Sequence, residues 1–236
     1  MMSELTIMAG PCAVENREQI RSTAEFLSGL GVKILRGGAF KPRTNPDDFQ
    51  GLGEEGLKLL RAAADEFGMQ VVTEVMDPRE IELVSQYADI LQVGSRNMHN
   101  GPFLKELGRQ SKPILLKRGM SATIYEFLQA ARYIEKEGNK NIWLCERGVR
   151  TFMDETRFTL NLGSIAVLKA DSPYPLIVDP SHAAGKSAYV PAMAKGALAA
   201  GADGLLIEVH PKPTEALCDK EQALSFEEFS TLMKSL

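Results

Sequence analysis

Ten residues, Leu35 to Thr44, read Leu-Arg-Gly-Gly-Ala-Phe-Lys-Pro-Arg-Thr and follow the apolar run Val32 to Leu35. Arg36, Lys41 and Arg43 thus crowd three cations into a short loop, Gly37 and Gly38 allow close backbone approach to a ligand, and Pro42 stiffens the turn. That composition suits an anion site; the bland alternative is a solvated basic loop. Arg96, Lys117 and Arg147 also follow apolar runs. With the first three they make about six cations, too many for one carboxylate and suited to two phosphorylated ligands. A second set, Cys12, His182, Glu208 and Asp219, consists of competent metal ligands, although a lone His or Cys is more often structural. Glu74 and Asp179 could do acid-base work or merely hold the cations. Cys145, Trp143, Met69 and Met98 read as packing.

Such scattered residues need a scaffold that gathers them. Eight apolar runs recur along the chain: Leu5 to Ala9, Val32 to Leu35, Gln70 to Val75, Ile90 to Val93, Pro113 to Lys117, Ile142 to Cys145, Leu176 to Val178 and Gly204 to Val209. They lack the alternation of half-exposed strands, which suits parallel strands buried on both faces. Helical periodicity fills the gaps. Asp77 before Pro78 and Ser121 before the Ile124 run are expected N-caps; Ser225 with Glu228 makes a capping box for a last helix burying Phe229 and Leu232; Gly29, Gly68 and Gly138 mark helix ends. Eight strand-helix repeats predict a (β/α)8 TIM barrel, an α/β fold, as one domain over residues 1–236. No Gly-x-Gly-x-x-Gly turn favours a doubly wound sheet instead. In a barrel the polar residues at the strand ends form one rim, and strands 1, 7 and 8, which carry Cys12, His182 and Glu208, become neighbours.

Composition narrows the partners. With 236 residues and a net charge of −4, the chain has no basic stripe, so small anions rather than nucleic acid are the expected ligands. Three cysteines without a pairing pattern and the absence of a signal peptide point to a reducing cytoplasm, and no apolar stretch is long enough for a membrane.

Several of these stretches together resemble one family. Ala9-Gly10-Pro11-Cys12, Leu35 to Thr44, Gly94-Ser95-Arg96-Asn97-Met98, Leu116-Lys117-Arg118-Gly119, Cys145-Glu146-Arg147-Gly148, Asp179-Pro180-Ser181-His182 and Ile207-Glu208-Val209-His210-Pro211 are similar, in this order, to the 3-deoxy-D-arabino-heptulosonate 7-phosphate (DAHP) synthases of the short type I beta kind. The resemblance implies a barrel enzyme that condenses phosphoenolpyruvate with D-erythrose 4-phosphate and releases phosphate, the first step of the shikimate pathway to the aromatic amino acids. It implies a divalent metal, manganese, iron, cobalt or zinc, on Cys12, His182, Glu208 and Asp219. Arg36, Lys41 and Lys117 match residues around the phosphoenolpyruvate carboxylate and reacting end, Arg96 and Arg147 those on its phosphate, and Pro42, Arg43 and Thr44 the erythrose 4-phosphate loop, with Ser95 a further substrate-binding residue. Glu74 becomes a candidate to position or deprotonate water. A homotetramer or homodimer is implied as well.

Two departures stand out. His99 replaces a usual Gln, and Cys218-Asp219-Lys220 replaces a more usual Ser-Asp-Gly. A first strand starting at Leu5 leaves no room for an N-terminal regulatory domain, so no built-in feedback inhibition is expected. The rival within the scaffold is 3-deoxy-D-manno-octulosonate 8-phosphate synthase, which uses arabinose 5-phosphate; its loop carries Lys-Ala-Asn-Arg where this chain has Lys41-Pro42-Arg43-Thr44, which favours the four-carbon sugar. A metal-dependent aldolase would need one phosphate site only, and a non-catalytic barrel binding a phosphorylated ligand would release no phosphate.

Overall fold

The computed structural model describes residues 5–43 and 45–236. Eight parallel strands close into a barrel in sequence order: β1 (Thr6–Gly10), β2 (Ile34–Arg36), β3 (Gln70–Val75), β4 (Ile90–Val93), β5 (Ile114–Lys117), β6 (Ile142–Glu146), β7 (Leu176–Val178) and β8 (Gly204–Glu208). The expected strands all form, with ends shifted by no more than two residues. Closure is made by β1 against β8, from Thr6 opposite Gly204 to Gly10 opposite Glu208. The surrounding α-helices are α1 (Arg17–Gly29), α2 (Glu54–Glu66), α3 (Ile81–Tyr87), α4 (Gly101–Gly108), α5 (Ile124–Lys136), α6 (Leu162–Asp171), α7 (Pro180–Ala184), α8 (Val190–Ala199) and α9 (Phe226–Met233). None of the described helices is long and apolar enough to cross a membrane.

Side chains alternate along each strand, and this sorts the residues into two cores. Met8, Ile34, Val72, Ile90, Leu115, Cys145, Ile177 and Leu206, one from each strand, fill the barrel interior with Trp143 packed beneath. Neighbours of the opposite parity, such as Ile7, Leu35, Val71, Leu91, Leu116 and Leu144, join the larger core between strands and helices. Cys145 is fully buried in the barrel interior, packing as expected, and burial lifts its thiol to about 12.

The helix signals hold with one correction. Ser225 and Glu228 form the reciprocal capping box of α9, which buries Phe229 and Leu232 and stacks Phe226 on Phe26 of α1 at 3.9 Å, covering the closing seam. Asp77 caps Pro78–Glu80, a single 3-10 turn that leads into α3. Thr123, not Ser121, caps α5. Its hydroxyl accepts from the Glu126 amide while the Glu126 carboxylate accepts from the Thr123 amide. Ser121 has Ile124 three residues on, which cannot reciprocate, so the turn passes it by.

Candidate active site

Two positions beyond each interior residue the same face of the strand reaches the C-terminal mouth. Gly10, Arg36, Glu74, Gln92, Lys117, Arg147, Asp179 and Glu208 all fall there. Of these, Glu74, Lys117 and Arg147 line a cavity of about 200 Å³ together with Lys41, Arg43, Arg96, His182 and Asp219 among others. Pro42 and Ser95 line it too. Thr44 lies outside the described residues. Arg36, Glu208 and Cys12 do not line the cavity; they are buried, at 5%, 1% and 4% exposure.

Three rim residues expected from the sequence turn elsewhere. Arg118 and Glu146 have the parity of the outer layer, where Arg118 Nη1 donates to Glu146 Oε2 at 2.6 Å and to Ser164 Oγ at 3.2 Å. Glu146 Oε1 in turn accepts from the amides of Arg147 and Gly148, fixing the backbone that presents Arg147. His210 is buried beyond the end of β8 and faces Glu15.

The cations are better compensated than their number alone suggests. Arg36 Nη1 donates to Glu208 Oε1 at 2.7 Å and to the Pro11 carbonyl at 3.0 Å. Lys117 Nζ donates to Asp179 Oδ2 at 2.5 Å, and Arg43 bonds Asp48 Oδ2 at 2.9 Å and 3.2 Å. Lys41 Nζ donates to the Cys12 sulfur at 2.9 Å and to its carbonyl at 3.1 Å. Burial pulls the Lys41 ammonium down, but the Cys12 and Cys218 sulfurs outweigh it and hold the group above its ordinary range. Mutual repulsion among these cations is therefore relieved by buried acceptors. Arg147 lacks such compensation among the described residues, and no ion pair holds Arg96 either. Arg147 is 4% exposed, stacks at 3.7 Å over the Phe158 ring, and its Nε and Nη1 have no hydrogen-bond partner. Burial pushes its guanidinium down to about 10, still charged at neutral pH and free to bond a phosphate or carboxylate.

At the seam of β1 and β8, ligand atoms of Cys12, Glu208 and Asp219 lie within 4.8 Å of one another. Cys12 Sγ donates to Asp219 Oδ2 at 3.1 Å, and Gln222 Nε2 donates to Glu208 Oε2 at 2.7 Å. His182 approaches from α7, its Nε2 3.5 Å from Glu208 Oε1 and its Nδ1 2.7 Å from Asp179 Oδ2. Burial keeps its imidazole below the usual range, favouring the neutral form that ligates metals. For Asp179, burial is outweighed by His182 and Lys117, and the carboxylate stays ionised. The Cys12 thiol is raised by its hydrogen bond with Cys218 and by burial, so a metal would have to displace its proton. One thiol, two carboxylates and a neutral imidazole within reach form a donor set that fits a divalent transition metal.

Sequence reasoning missed Arg157 and Phe158. Arg157 lines the cavity and donates from Nη1 to Asp219 Oδ1 at 3.0 Å and to Gln222 Oε1 at 2.8 Å. Both sit in the loop between β6 and α6, away from any strand end, where no local pattern marks them. Cys218 is buried beside Cys12, Ala13 and Phe49, whereas Lys220 faces the adjoining cleft.

The model of the DAHP synthetase I family matches residues 3–236. The chain belongs to that family. It is 51% identical over 231 residues to the phospho-2-dehydro-3-deoxyheptonate aldolase of Thermotoga maritima, covering 98% of this chain and 68% of that protein. The crystal structure of that DAHP synthase superposes with a TM-score of 0.96, and a truncated form of the Thermotoga maritima enzyme, 48% identical, with 0.92 over 98% of this chain and 84% of that one. A 2-dehydro-3-deoxyphosphooctonate aldolase from Magnetococcus marinus is more distant, 30% identical over 250 residues, 98% of this chain and 86% of its own.

Gly94 shows how closely this family member is built around Glu74. A Cβ at position 94 would lie 1.9 Å from Glu74 Oε1, while Gln92 Nε2 supports Oε2 at 3.4 Å. With Glu74 taken as the group that acts on the attacking water, the variant Gly94→Ala is expected to push its carboxylate aside and lower turnover about a hundredfold, as a misplacement of roughly 1 Å does. Turnover within twofold of the parent would remove Glu74 from the chemistry.

Proposed function

We propose that the chain condenses phosphoenolpyruvate with D-erythrose 4-phosphate and water to give 3-deoxy-D-arabino-heptulosonate 7-phosphate and inorganic phosphate. The observation that carries this reading is the pairing, at one mouth, of a buried Arg147 with unbonded guanidinium nitrogens and the Cys12, Glu208 and Asp219 donor set. The 51% identity to a DAHP synthase, against 30% to the octulosonate enzyme, supports the four-carbon sugar.

In this reading Arg147 and Arg96, with Ser95, take the phosphate of phosphoenolpyruvate, and Lys117, Lys41 and Arg36 hold its carboxylate and reacting end. Pro42, Arg43 and Thr44 hold erythrose 4-phosphate, so that carbon 3 faces the aldehyde. Cys12, His182, Glu208 and Asp219 would hold a divalent metal, manganese, iron, cobalt or zinc, whose Lewis acidity polarises the aldehyde carbonyl. Carbon 3 forms the new bond as positive charge grows on carbon 2, and Glu74 orients or deprotonates the water that captures it. Loss of phosphate then breaks the bond between carbon 2 and its one bridging oxygen, which leaves with the electron pair as inorganic phosphate while the oxygen from water becomes the keto oxygen. Lys41, held as the ammonium in the free protein, is placed to give its proton to the oxygen that was the aldehyde's and to regain one from solvent as the cycle closes. Assembly as a homodimer or homotetramer in a reducing cytoplasm would cover the exposed Phe152 and Tyr125 and keep the three cysteines free.

The test measures phosphate release from phosphoenolpyruvate with erythrose 4-phosphate or arabinose 5-phosphate in parallel, with and without a chelator. Release with the four-carbon sugar alone, abolished by chelation and restored by metal, is the expected result. Release only with arabinose 5-phosphate, or none with either sugar after metal is restored, overturns the proposal.

A further inference from the structure

Glu15 touches neither the cavity nor the donor set, yet it ties together the two loops that carry them. It lies three residues beyond Cys12, in the loop between β1 and α1, with its side chain 9% exposed. Its Oε1 accepts from the amide of Leu217 at 2.8 Å, across 202 residues of sequence. Leu217 is two residues before Asp219, which holds a left-handed backbone at φ +52. Such a conformation is costly for a residue other than glycine and persists where surroundings enforce it.

The other carboxylate oxygen is 3.4 Å from His210 Nε2. His210 Nδ1 accepts from the Lys212 amide at 3.0 Å, which places the proton of a neutral ring on Nε2, toward Glu15. The ring itself is 4% exposed, and its backbone amide donates to Leu224, so it is anchored to the end of β8. Glu15 therefore bonds the Cys12 loop to the segment entering Asp219, while its other oxygen faces His210 at the end of β8 without a hydrogen bond.

We propose that Glu15 is a positioning residue that sets Asp219 against Cys12 and so completes the metal site. This rests on the metal assignment made above. Carboxylates that orient ligands from outside the coordination sphere change metal affinity about 10- to 100-fold when removed. The expectation is that Glu15→Ala weakens Mn2+ binding to the chelator-stripped, substrate-free protein about tenfold or more and lowers kcat, while KM for phosphoenolpyruvate stays within about twofold. Glu15→Gln keeps an oxygen for the Leu217 amide and should bind Mn2+ within about threefold of the parent.

Mn2+ binding is read by titration calorimetry and folding by far-ultraviolet circular dichroism. If Glu15→Ala does not fold, Glu15→Asp, shorter by one methylene, takes its place with the same expectation. Undiminished Mn2+ affinity in Glu15→Ala overturns the proposal, as does an equal loss in Glu15→Gln. A parent protein that binds no Mn2+, Co2+ or Zn2+ overturns the metal assignment and this proposal with it, a result distinguishable from the failure of Glu15 alone.

Discussion

Replacing Cys12 by Ala is expected to lower turnover about a thousandfold or more while leaving the barrel folded. The sulfur sits where Lys41, Asp219 and Cys218 converge and is one of the three donors within 4.8 Å. A metal acting on a carbonyl supplies several kcal/mol of transition-state stabilisation, and losing about 4 kcal/mol costs roughly a thousandfold. The fold should survive because Lys41 keeps its bond to the Cys12 carbonyl, and because Cys12 packs in a small cluster apart from the main core. Steady-state turnover with saturating metal, alongside circular dichroism, checks this; a folded variant retaining most of its activity would take Cys12 out of the site.

Arg147→Met should separate binding from stability. Two charge-assisted hydrogen bonds lost from a phosphate correspond to about 3 kcal/mol or more, so KM for phosphoenolpyruvate should rise about a hundredfold or more. Stability should move the other way. Because burial holds the folded guanidinium down at about 10, folding disfavours its charged form, and the cost persists at every pH below that value. Methionine keeps the packing on Phe158 without the charge, so the variant should melt higher in phosphate-free buffer. Millimolar phosphate should raise the melting temperature of the parent and much less that of the variant. An equal phosphate shift in both proteins would place the anion elsewhere.

The barrel was legible because buried parallel strands leave uninterrupted Val, Ile and Leu runs, and the eight runs fall in the order in which the strands pair. The strand-end residues were legible as a set but not in direction. Lys117 and Arg118 look alike in the sequence, as do Glu146 and Arg147, yet one of each pair faces the cavity and the other the helices. Counting two residues from Leu115 and Cys145 of the interior layer separates them, but which apolar residues are interior depends on the tilt of the closed barrel. Arg157 was illegible because a loop residue is placed by packing, and Asp219 found its neighbours only when β8 met β1. The Cys12 and Cys218 contact likewise joins residues far apart in the chain.

That meeting has a consequence for synthesis. Cys12 and Asp219 are 207 residues apart, and Glu208 lies at the end of the strand that shuts the barrel. A growing chain exposes Cys12 at a point 207 residues before Asp219 and cannot offer Glu208 or Asp219 until the last strand has left the ribosome. On the metal assignment proposed above, an unfinished chain has the thiol without its carboxylate partners, and metal would be retained only once β8 has closed the barrel.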